Sequence, residues 1–327
     1  MKTVVLLGQY SHFYKANLHA HSVFSDGRLT PEQLKKAFME RGYAIIAFSD
    51  HNRLTPHNEL RDADFLPLNA IEIDVNDDKG HTYHLNFFSS DPEKTAFPPI
   101  DRGYGVDGVN RIIATGNEAG FLCQYNHPRW SFQDAHDFVG LRGLWGFEVF
   151  NTGCEKEMLN GWGDYEYETL LREGNEFPCA VATDDNHNAH PLDSPHCDSF
   201  GGWVCIDADC LTYEVIFDAM REKRLYASTG PAIHRLEVDP TTGTVTVNTS
   251  PACAIALRCE TRYTPIVRSL QDDLTTATLQ LPADYRYFRL EIADSQCFPP
   301  SSDGGFSANQ PLYAPFRPAD LRKFIPL

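Results

Sequence analysis

The sequence lacks two features that would place it in common classes of protein. None of its apolar runs approaches the length of a membrane-spanning helix. Lysine and arginine number only 28 against 45 aspartates and glutamates, which gives a formal net charge of −17. Duplex nucleic acid is held by clustered lysine and arginine, so this balance argues against a nucleic-acid scaffold. Bound divalent cations would offset part of the negative charge, so a small anionic substrate remains compatible with it.

A cysteine framework and a targeting segment are also missing. The nine cysteines are an odd number and show no CxxC spacing, which indicates reduced thiols. The apolar run within residues 1–8 is too short for a signal peptide, and no small-residue cleavage site follows it before His19. We therefore expect a cytoplasmic protein that does not bind a membrane.

The first two thirds of the chain alternate between apolar strands and helical patterns. Thr30 caps a helix that has Pro31 at its first position and Gly42 at its end. Helical spacing also marks residues 107–120 and 211–223. This alternation predicts an α/β fold with parallel strands joined by right-handed crossovers, in a barrel-like arrangement. The predicted strands are 16–21, 43–49, 66–75, 82–88, 121–126, 146–150, 178–183 and 202–206.

The pattern changes after residues 228–231. Short alternating apolar stretches separated by turn residues replace the helices, which predicts a small β-sandwich-like domain over residues 233–327. The barrel would then comprise residues 1–232. A surface loop is predicted at 298–306 and a last helix at 318–323. The predicted strands of this second domain are 244–247, 254–259, 276–281 and 287–293.

Histidine and acidic side chains recur where the predicted barrel strands end. His19 and His21 stand two apart on a strand, so both side chains leave the same face and can reach one ion. Such a pair is weak evidence by itself. Asp50 and His51 close an apolar run, and Glu72 interrupts another, where an unpaired carboxylate would be costly. Since sites in β/α barrels are built at the carboxyl ends of strands, we expect a metal cluster there.

Four further positions extend this pattern along the chain. His84 lies inside an apolar strand, and His127 follows another strand. Asp185 and His187 stand two apart after a third strand. Asp184 competes with Asp185 for the role of ligand, and the register of the strand does not decide between them.

Taken together, these motifs resemble the PHP (polymerase and histidinol phosphatase) family of metal-dependent phosphoesterases over about residues 12–232. Within the family the chain is most similar to the branch named after carbaryl hydrolase, through residues 148–151, the run 225–231 and the β-rich tail. The resemblance implies a distorted (β/α)7 TIM-like barrel with two or three divalent ions (zinc, manganese or iron) at its mouth. The matching motifs are His19-Ala20-His21, Ser25-Asp26-Gly27, Ser49-Asp50-His51-Asn52, Glu72, His84, Asn126-His127-Pro128 and Thr183-Asp184-Asp185-Asn186-His187.

The resemblance also implies how the ligands are divided among the ions. Asp26 stands where some relatives place histidine, which favours a harder ion or weaker occupancy at the third position. Glu148 and Asn151 are expected in the pocket wall. The implied sets are His19, His21, Glu72 and Asp185 for one ion, Glu72, His84 and His127 for a second, and Asp26, His51 and His187 for a third.

The predicted reaction is hydrolysis of a small phosphate ester, such as a nucleotide or a sugar phosphate, by a metal-bridged hydroxide. Arg129 stands two residues after His127, with Pro128 between them, and is the candidate clamp for phosphate. The alternative for Arg129 is a surface pairing with a local aspartate. Either His187 or a metal-bound water would act as the general acid.

Two other functions compete with this interpretation. The same metals would serve a carbamate, ester or amide hydrolase, and removal of Arg129 would separate the two, because phosphate turnover would suffer far more. A non-catalytic metal-binding module is the third alternative. Specificity would reside in loops such as 91–108 and 153–164, where Tyr104 and Trp162 are candidates to stack on a base or ring.

Overall fold

The computed structural model describes residues 3–10, 12–174 and 176–295, together with the backbone of 314–316. The helix predicted at 318–323 and the loop predicted at 298–306 lie outside the described residues. Among the helices that are described, none is long and apolar enough to cross a membrane.

The first helix shows how local sequence sets the helix bounds. The side chain of Thr30 accepts a hydrogen bond from the backbone of Gln33, whose side chain accepts from Thr30 in return, and Pro31 occupies the first position. Leu34 and Phe38, one turn apart, are buried on the inner face. The described helices are α1 Pro31–Met39, α2 Val106–Glu118, α3 Ala135–Phe138, α4 Thr152–Met158, α5 Asp164–Glu173 and α6 Tyr213–Arg221.

The strands of the described chain fall into two kinds by burial. In chain order they are β1 Val4–Leu7, β2 His12–Ala20, β3 Ile45–Phe48, β4 Leu66–Asn76, β5 Thr82–Ser89, β6 Phe121–Tyr125, β7 Leu144–Asn151, β8 Cys179–Thr183, β9 Trp203–Ala208, β10 Leu225–Ser228, β11 Ile233–Asp239, β12 Thr244–Ala252, β13 Ala254–Cys259, β14 Ile266–Arg268, β15 Leu274–Gln280, β16 Phe288–Ala293 and β17 Ala314–Phe316. Strands β3, β7 and β8 are buried at every residue, as expected when both faces of a sheet are covered. In β12 buried and more exposed residues mostly alternate, which is typical of a sheet with one solvated face.

The larger unit comprises residues 14–206 and 210–223. Its strands follow the order β9-β2-β3-β4-β5-β6-β7-β8. Neighbours from β2 to β4 and from β6 to β8 pair in parallel, whereas β5 is antiparallel to both β4 and β6. The prediction of parallel strands is therefore wrong at β5, because residues 77–81 form a hairpin connection too short for a crossover helix. The reversal places the start of β5 beside the ends of its neighbours.

The barrel closes where β2 and β8 end. The backbone N–H of Asp185 donates to the carbonyl of His19 at 2.9 Å, and the N–H of His21 donates to the carbonyl of Asn186 at 3.1 Å. These bonds bring the carboxyl ends of the two strands side by side. The unit is thus a distorted β/α barrel, as predicted, and two predicted ligand segments meet at its seam.

The smaller unit comprises residues 1–13, 207–209 and 224–327, so far as they are described. It holds two four-stranded antiparallel sheets, β1-β11-β12-β15 and β14-β13-β16-β17. Leu236 and Val245 of the first sheet and Ile255 and Leu290 of the second are buried. The predicted C-terminal β-rich domain is present, and the N-terminal strand β1 is paired with β11 within it.

Candidate metal centre

The strand ends of the barrel bring all nine predicted metal ligands to one mouth. β2 and the residue after it supply His19 and His21, and β4 supplies Glu72. His84 lies at the start of the reversed strand β5, which explains how a residue early in its strand reaches the same mouth. The ligand atoms lie within 4.8 Å of one another in four groups: His21, Asp26, His51 and His187; His19, His21, Glu72 and Asp185; His19, His127 and Glu148; and His51, Glu72 and His84.

The central group consists of four buried side chains, His19, His21, Glu72 and Asp185. His19 Nε2 lies 3.2 Å from both Glu72 Oε1 and Asp185 Oδ1. His21 Nε2 lies 3.0 Å from Asp185 Oδ1 and 3.3 Å from Glu72 Oε2. The two Nε2 atoms are 3.2 Å apart. This group has the same members as the first ligand set that the resemblance implies.

These distances fit a shared cation. Oε2 of Glu72 and Oδ1 of Asp185 are buried without any hydrogen-bond partner, which is costly for carboxylates in the protein interior. In a tetrahedral site with ligands at about 2.0–2.1 Å, neighbouring donor atoms lie roughly 3.3 Å apart. The observed separations are close to that value. Imidazole nitrogens and carboxylate oxygens are also the donors that zinc, manganese and iron accept.

Glu72 faces histidines on both of its oxygens. Its Oε1 lies 3.0 Å from Nδ1 of His84, and its Oε2 lies 3.1 Å from Nδ1 of His51. His127 Nε2 stands farther away, 3.6 Å from Oε1 of Glu72. Both carboxylate oxygens of Glu72 therefore face candidate ligands, with His84 and His51 nearer to it than His127.

The third group is the more exposed one. Its acidic member, Asp26, has a side chain that is 56% exposed and lies 3.4 Å from Nε2 of His187. His51 and His21 each approach Asp26 to 3.8 Å. The hydrogen bond to His187 lowers the pKa of the Asp26 carboxyl. This group is thus exposed and widely spaced, and weaker occupancy at a third position stays a prediction.

Unusual backbone conformations mark three of the strand ends. His127 has φ 25°, Asp185 has φ 51° and Asn52, directly after His51, has φ 55°. Non-glycine residues rarely adopt the left-handed region, at a cost of roughly 1–3 kcal/mol each, and such residues cluster at functional sites. Two of the three are predicted ligands, so the strain lies where the side chains converge.

The two neighbouring aspartates after β8 face opposite ways. Asp184 accepts hydrogen bonds from the hydroxyl of Thr152 and from the backbone N–H groups of residues 200–202. Burial raises the pKa of Asp184 to about 6, although these hydrogen bonds act to lower it. Asp185 faces the cluster instead. The choice that the sequence leaves open is therefore resolved by geometry, and Asp184 positions the backbone of the candidate ligand.

Glu148 lies beneath the cluster rather than in the pocket wall where the sequence places it. This buried carboxylate lies 3.1 Å from Nδ1 of His19 and accepts from the backbone N–H of His127. Asn151 donates from one amide nitrogen to both Glu148 and Asp185. A carboxylate on the far nitrogen of a histidine fixes its tautomer and turns its other nitrogen toward the metal position.

In the central group the charged forms of the histidines and the carboxylates stabilise each other. Burial disfavours the charged form of His21, but the facing carboxylates of Asp185 and Glu72 outweigh it and raise the pKa of His21 to about 9. Burial likewise disfavours ionised Asp185, yet the facing His19 holds its pKa well below the usual range. A bound cation would compete with the protons on these histidines.

The two predicted catalytic residues differ in position. His187 lines the cavity of about 480 Å³ at the mouth, next to Asp26. Arg129 does not line it: its Nε donates to both carboxylate oxygens of Glu166, at 2.9 and 3.0 Å. Among the described lysines and arginines, Lys156 on α4 is the one that lines this cavity. The role of Arg129 as a phosphate clamp stays a prediction.

The aromatic residues singled out from the sequence are not the ones at the mouth. Trp162 is buried against Phe150, and the ring of Tyr104 packs on Tyr83. Trp130 lines the cavity instead, with its ring 5.1 Å from that of His127. Its position three residues after a predicted ligand is a signal that sequence analysis could have used.

Comparison with known proteins yields distant relatives. No protein-family model matches the sequence. Error-prone DNA polymerases of Mycobacterium bovis and Mycobacterium tuberculosis are 29% identical over 191 residues, which is 54% of this chain and 16% of each polymerase. The chain therefore covers only a small part of the length of these curated relatives.

Two solved structures are similar to the chain. A two-domain protein from Bacteroides vulgatus, described as containing a predicted PHP-like metal-dependent phosphoesterase, is 15% identical, with 95% of this chain and 98% of that chain covered and a TM-score of 0.49. An amidohydrolase from Chromobacterium violaceum is 16% identical, with 56% and 93% covered and a TM-score of 0.38. The first of these two structures is thus one whose description names a predicted PHP-like metal-dependent phosphoesterase. The carbaryl-hydrolase branch stays a prediction.

Proposed function

We propose that this protein is a metal-dependent hydrolase that cleaves small anionic phosphate esters at the barrel mouth. One observation carries the proposal: the unpartnered oxygens of Glu72 and Asp185 converge with Nε2 of His19 and His21. A set of buried donors without hydrogen-bond partners is what a cation site requires.

The described residues of the cavity favour water as the nucleophile. Cys154 is the thiol that lines the cavity, but it is buried, and burial raises its pKa well above the usual range. Ser22 and Ser25, near the cluster, donate their hydroxyls to Asp50. Cys154 is thus not activated as a nucleophile, and the two serines do not line the cavity.

The chain itself orients the ligands and holds a proton. Glu148 fixes His19 through Nδ1, and Ser131 lies 3.2 Å from Nδ1 of His127, so both histidines present Nε2 to the mouth. When bound, divalent ions acidify water and neutralise charge on phosphoryl oxygens. We assign the proton donated to the leaving group to His187, whose pKa is raised against burial by its hydrogen bond to Asp26.

The test combines metal content with turnover. We expect at least about two zinc, manganese or iron ions per chain after purification without added metal, and hydrolysis within a panel of phosphomonoesters and phosphodiesters with added manganese. His19→Ala should lose bound metal and turnover together. His136→Ala removes a histidine that is 97% exposed and is the matched control. Less than one ion per chain with no turnover, unchanged by manganese, would contradict the proposal.

A second function, hydrolysis of a carbamate, carboxylic ester or amide on the same metals, is favoured by one observation. Arg129 pairs with Glu166 and does not line the cavity, so Lys156 is the one lysine or arginine that lines it among the described residues. Neutral esters need less positive charge than phosphates do. Turnover of an aryl carbamate or acetate that exceeds turnover of every phosphate in the panel would select this function.

A further inference from the structure

A groove without charged lining residues adjoins the metal cavity. It has a volume of about 390 Å³ and shares His84 and Trp130 with the cavity at the mouth. The metal cavity, by contrast, is lined by several acidic side chains and by Lys156. The described residues that line the groove are Asn76, Gly80, Thr82, His84, Trp130, Phe132 and Met158.

Phe132 is held in this groove at an energetic cost. Its φ is 55° and the residue is 66% exposed, so a bulky apolar side chain adopts a strained backbone conformation without gaining burial. The turn that carries it is tied down by hydrogen bonds from the backbone N–H of Ser131 to His127 and from that of Gln133 to Pro128. The backbone of Phe132 is therefore held at a set position relative to the candidate ligand His127.

Two neighbours complete an apolar surface beside Phe132. The indole N–H of Trp130 donates to Glu157 at 3.1 Å, and its ring lies 5.7 Å from that of His84. Met158, at the end of α4, is 48% exposed, and its flexible thioether adapts to varied apolar shapes. We call the surface formed by Trp130, Phe132 and Met158 the apolar shelf.

We propose that the apolar shelf binds an aromatic group of the substrate while the ester bond lies at the metal centre. The occupant is argued from adjacency, because the groove and the metal cavity share His84 and Trp130 in their linings. The groove lining holds no Asp, Glu, Lys or Arg among the described residues, which disfavours a charged group. A flat ring can stack on Trp130 and Phe132. This inference rests on the proposed phosphoesterase function and narrows its substrates to aromatic esters.

The experiment compares ligands that differ in one ring. Benzyl and methyl phosphate release alcohols of similar acidity, so their kcat/KM ratio reports recognition rather than chemistry. Benzylphosphonate and methylphosphonate report binding without turnover, by calorimetry on manganese-loaded protein. We expect the wild-type protein to favour the benzyl compound at least about tenfold in both measurements, because burial of a ring stabilises the complex.

A strain-matched pair of variants separates recognition from folding. Phe132→Gly removes the ring and relieves the positive φ, so it should lower the benzyl preference at least about threefold without lowering Tm. Leu159→Gly makes the same kind of change at φ 56°, in a residue that is 84% exposed and outside the groove lining. It should leave the benzyl preference unchanged.

The outcomes for the shelf and for the phosphoesterase are distinguishable. Turnover of both phosphates without a benzyl preference would overturn the shelf and leave the phosphoesterase intact. Tighter benzylphosphonate binding, lost in Phe132→Gly, without turnover of either phosphate would support the shelf and contradict the phosphoesterase. An equal loss of preference in Leu159→Gly, or binding of neither phosphonate, would overturn the shelf.

Discussion

Nδ1 of His19 lies 3.1 Å from Oε1 of Glu148, and both side chains are fully buried. The contact fixes which nitrogen of the imidazole carries its proton and leaves Nε2 directed at Glu72 and Asp185. Glu148 also accepts from the backbone of His127, so one carboxylate orients two candidate ligands.

Glu148→Gln should weaken metal binding about 10- to 100-fold while the protein still folds, because the amide is a weaker acceptor for the His19 N–H. The dissociation constant would be measured by competition with a chromophoric chelator. Glu118→Gln changes an exposed carboxylate on α2 and serves as the control. Equal metal affinity in both variants would show that Glu148 does not orient the ligands.

The two aspartates after β8 should behave in opposite ways when each is changed to asparagine. Asp185→Asn should lose bound metal, since it weakens a ligand of the central group. Asp184→Asn should keep metal but lose about 1–3 kcal/mol of unfolding free energy, because an amide cannot accept all the hydrogen bonds from Thr152 and residues 200–202. Elemental analysis measures the bound metal, and urea denaturation of chelator-treated protein measures the free energy of unfolding.

Loss of metal from Asp184→Asn at unchanged stability would reverse these assignments. Glu118→Gln again provides the reference for a carboxylate outside the site.

Metal affinity should rise with pH between about 6.5 and 9. In the metal-free protein the pKa of His21 is raised to about 9, so at neutral pH a cation must displace its proton. The same shift stabilises the metal-free fold. That contribution is complete below the unfolded pKa of about 6.5 and is lost as pH rises through the folded value.

Metal titrations at several pH values, together with urea denaturation of metal-free protein, test both consequences. Affinity independent of pH across this window would contradict the protonated state assigned to His21.

The barrel, and the histidine and acidic residues that gather at its mouth, are predictable from the sequence because their signals are local. His127 follows an apolar strand and Glu72 interrupts another, and both patterns are visible in the sequence. The reversed direction of β5 was missed, although the connection at 77–81 contains Gly80 and is too short for a helix. The short connection is therefore visible in the sequence. In the fold it sets the direction of β5, against the parallel direction that the alternation of strands and helices predicts.

Side-chain direction could not be read from the sequence in the same way. Asp184 and Asp185 are adjacent and chemically identical, and their roles depend on hydrogen bonds with residues 200–202 and with the cluster. Arg129 has the right chemistry for a phosphate clamp, but Glu166 lies far from it in sequence and engages its guanidinium. Such long-range pairings arise only when the fold brings the two segments together.

Lys156, rather than Arg129, should contribute to phosphate turnover. Lys156 lines the metal cavity, whereas Arg129 is paired with Glu166. Lys156→Met should therefore raise the KM for a phosphomonoester by about 3- to 10-fold, since an exposed cation attracts the dianion only partly. Arg129→Met should change KM less than about twofold but weaken the contact with α5. Steady-state kinetics at two salt concentrations measure these changes in KM. Added salt should reduce the increase in KM that Lys156→Met causes, because salt screens the attraction between the lysine and the dianion. A larger loss in Arg129→Met would restore the phosphate clamp predicted from the sequence.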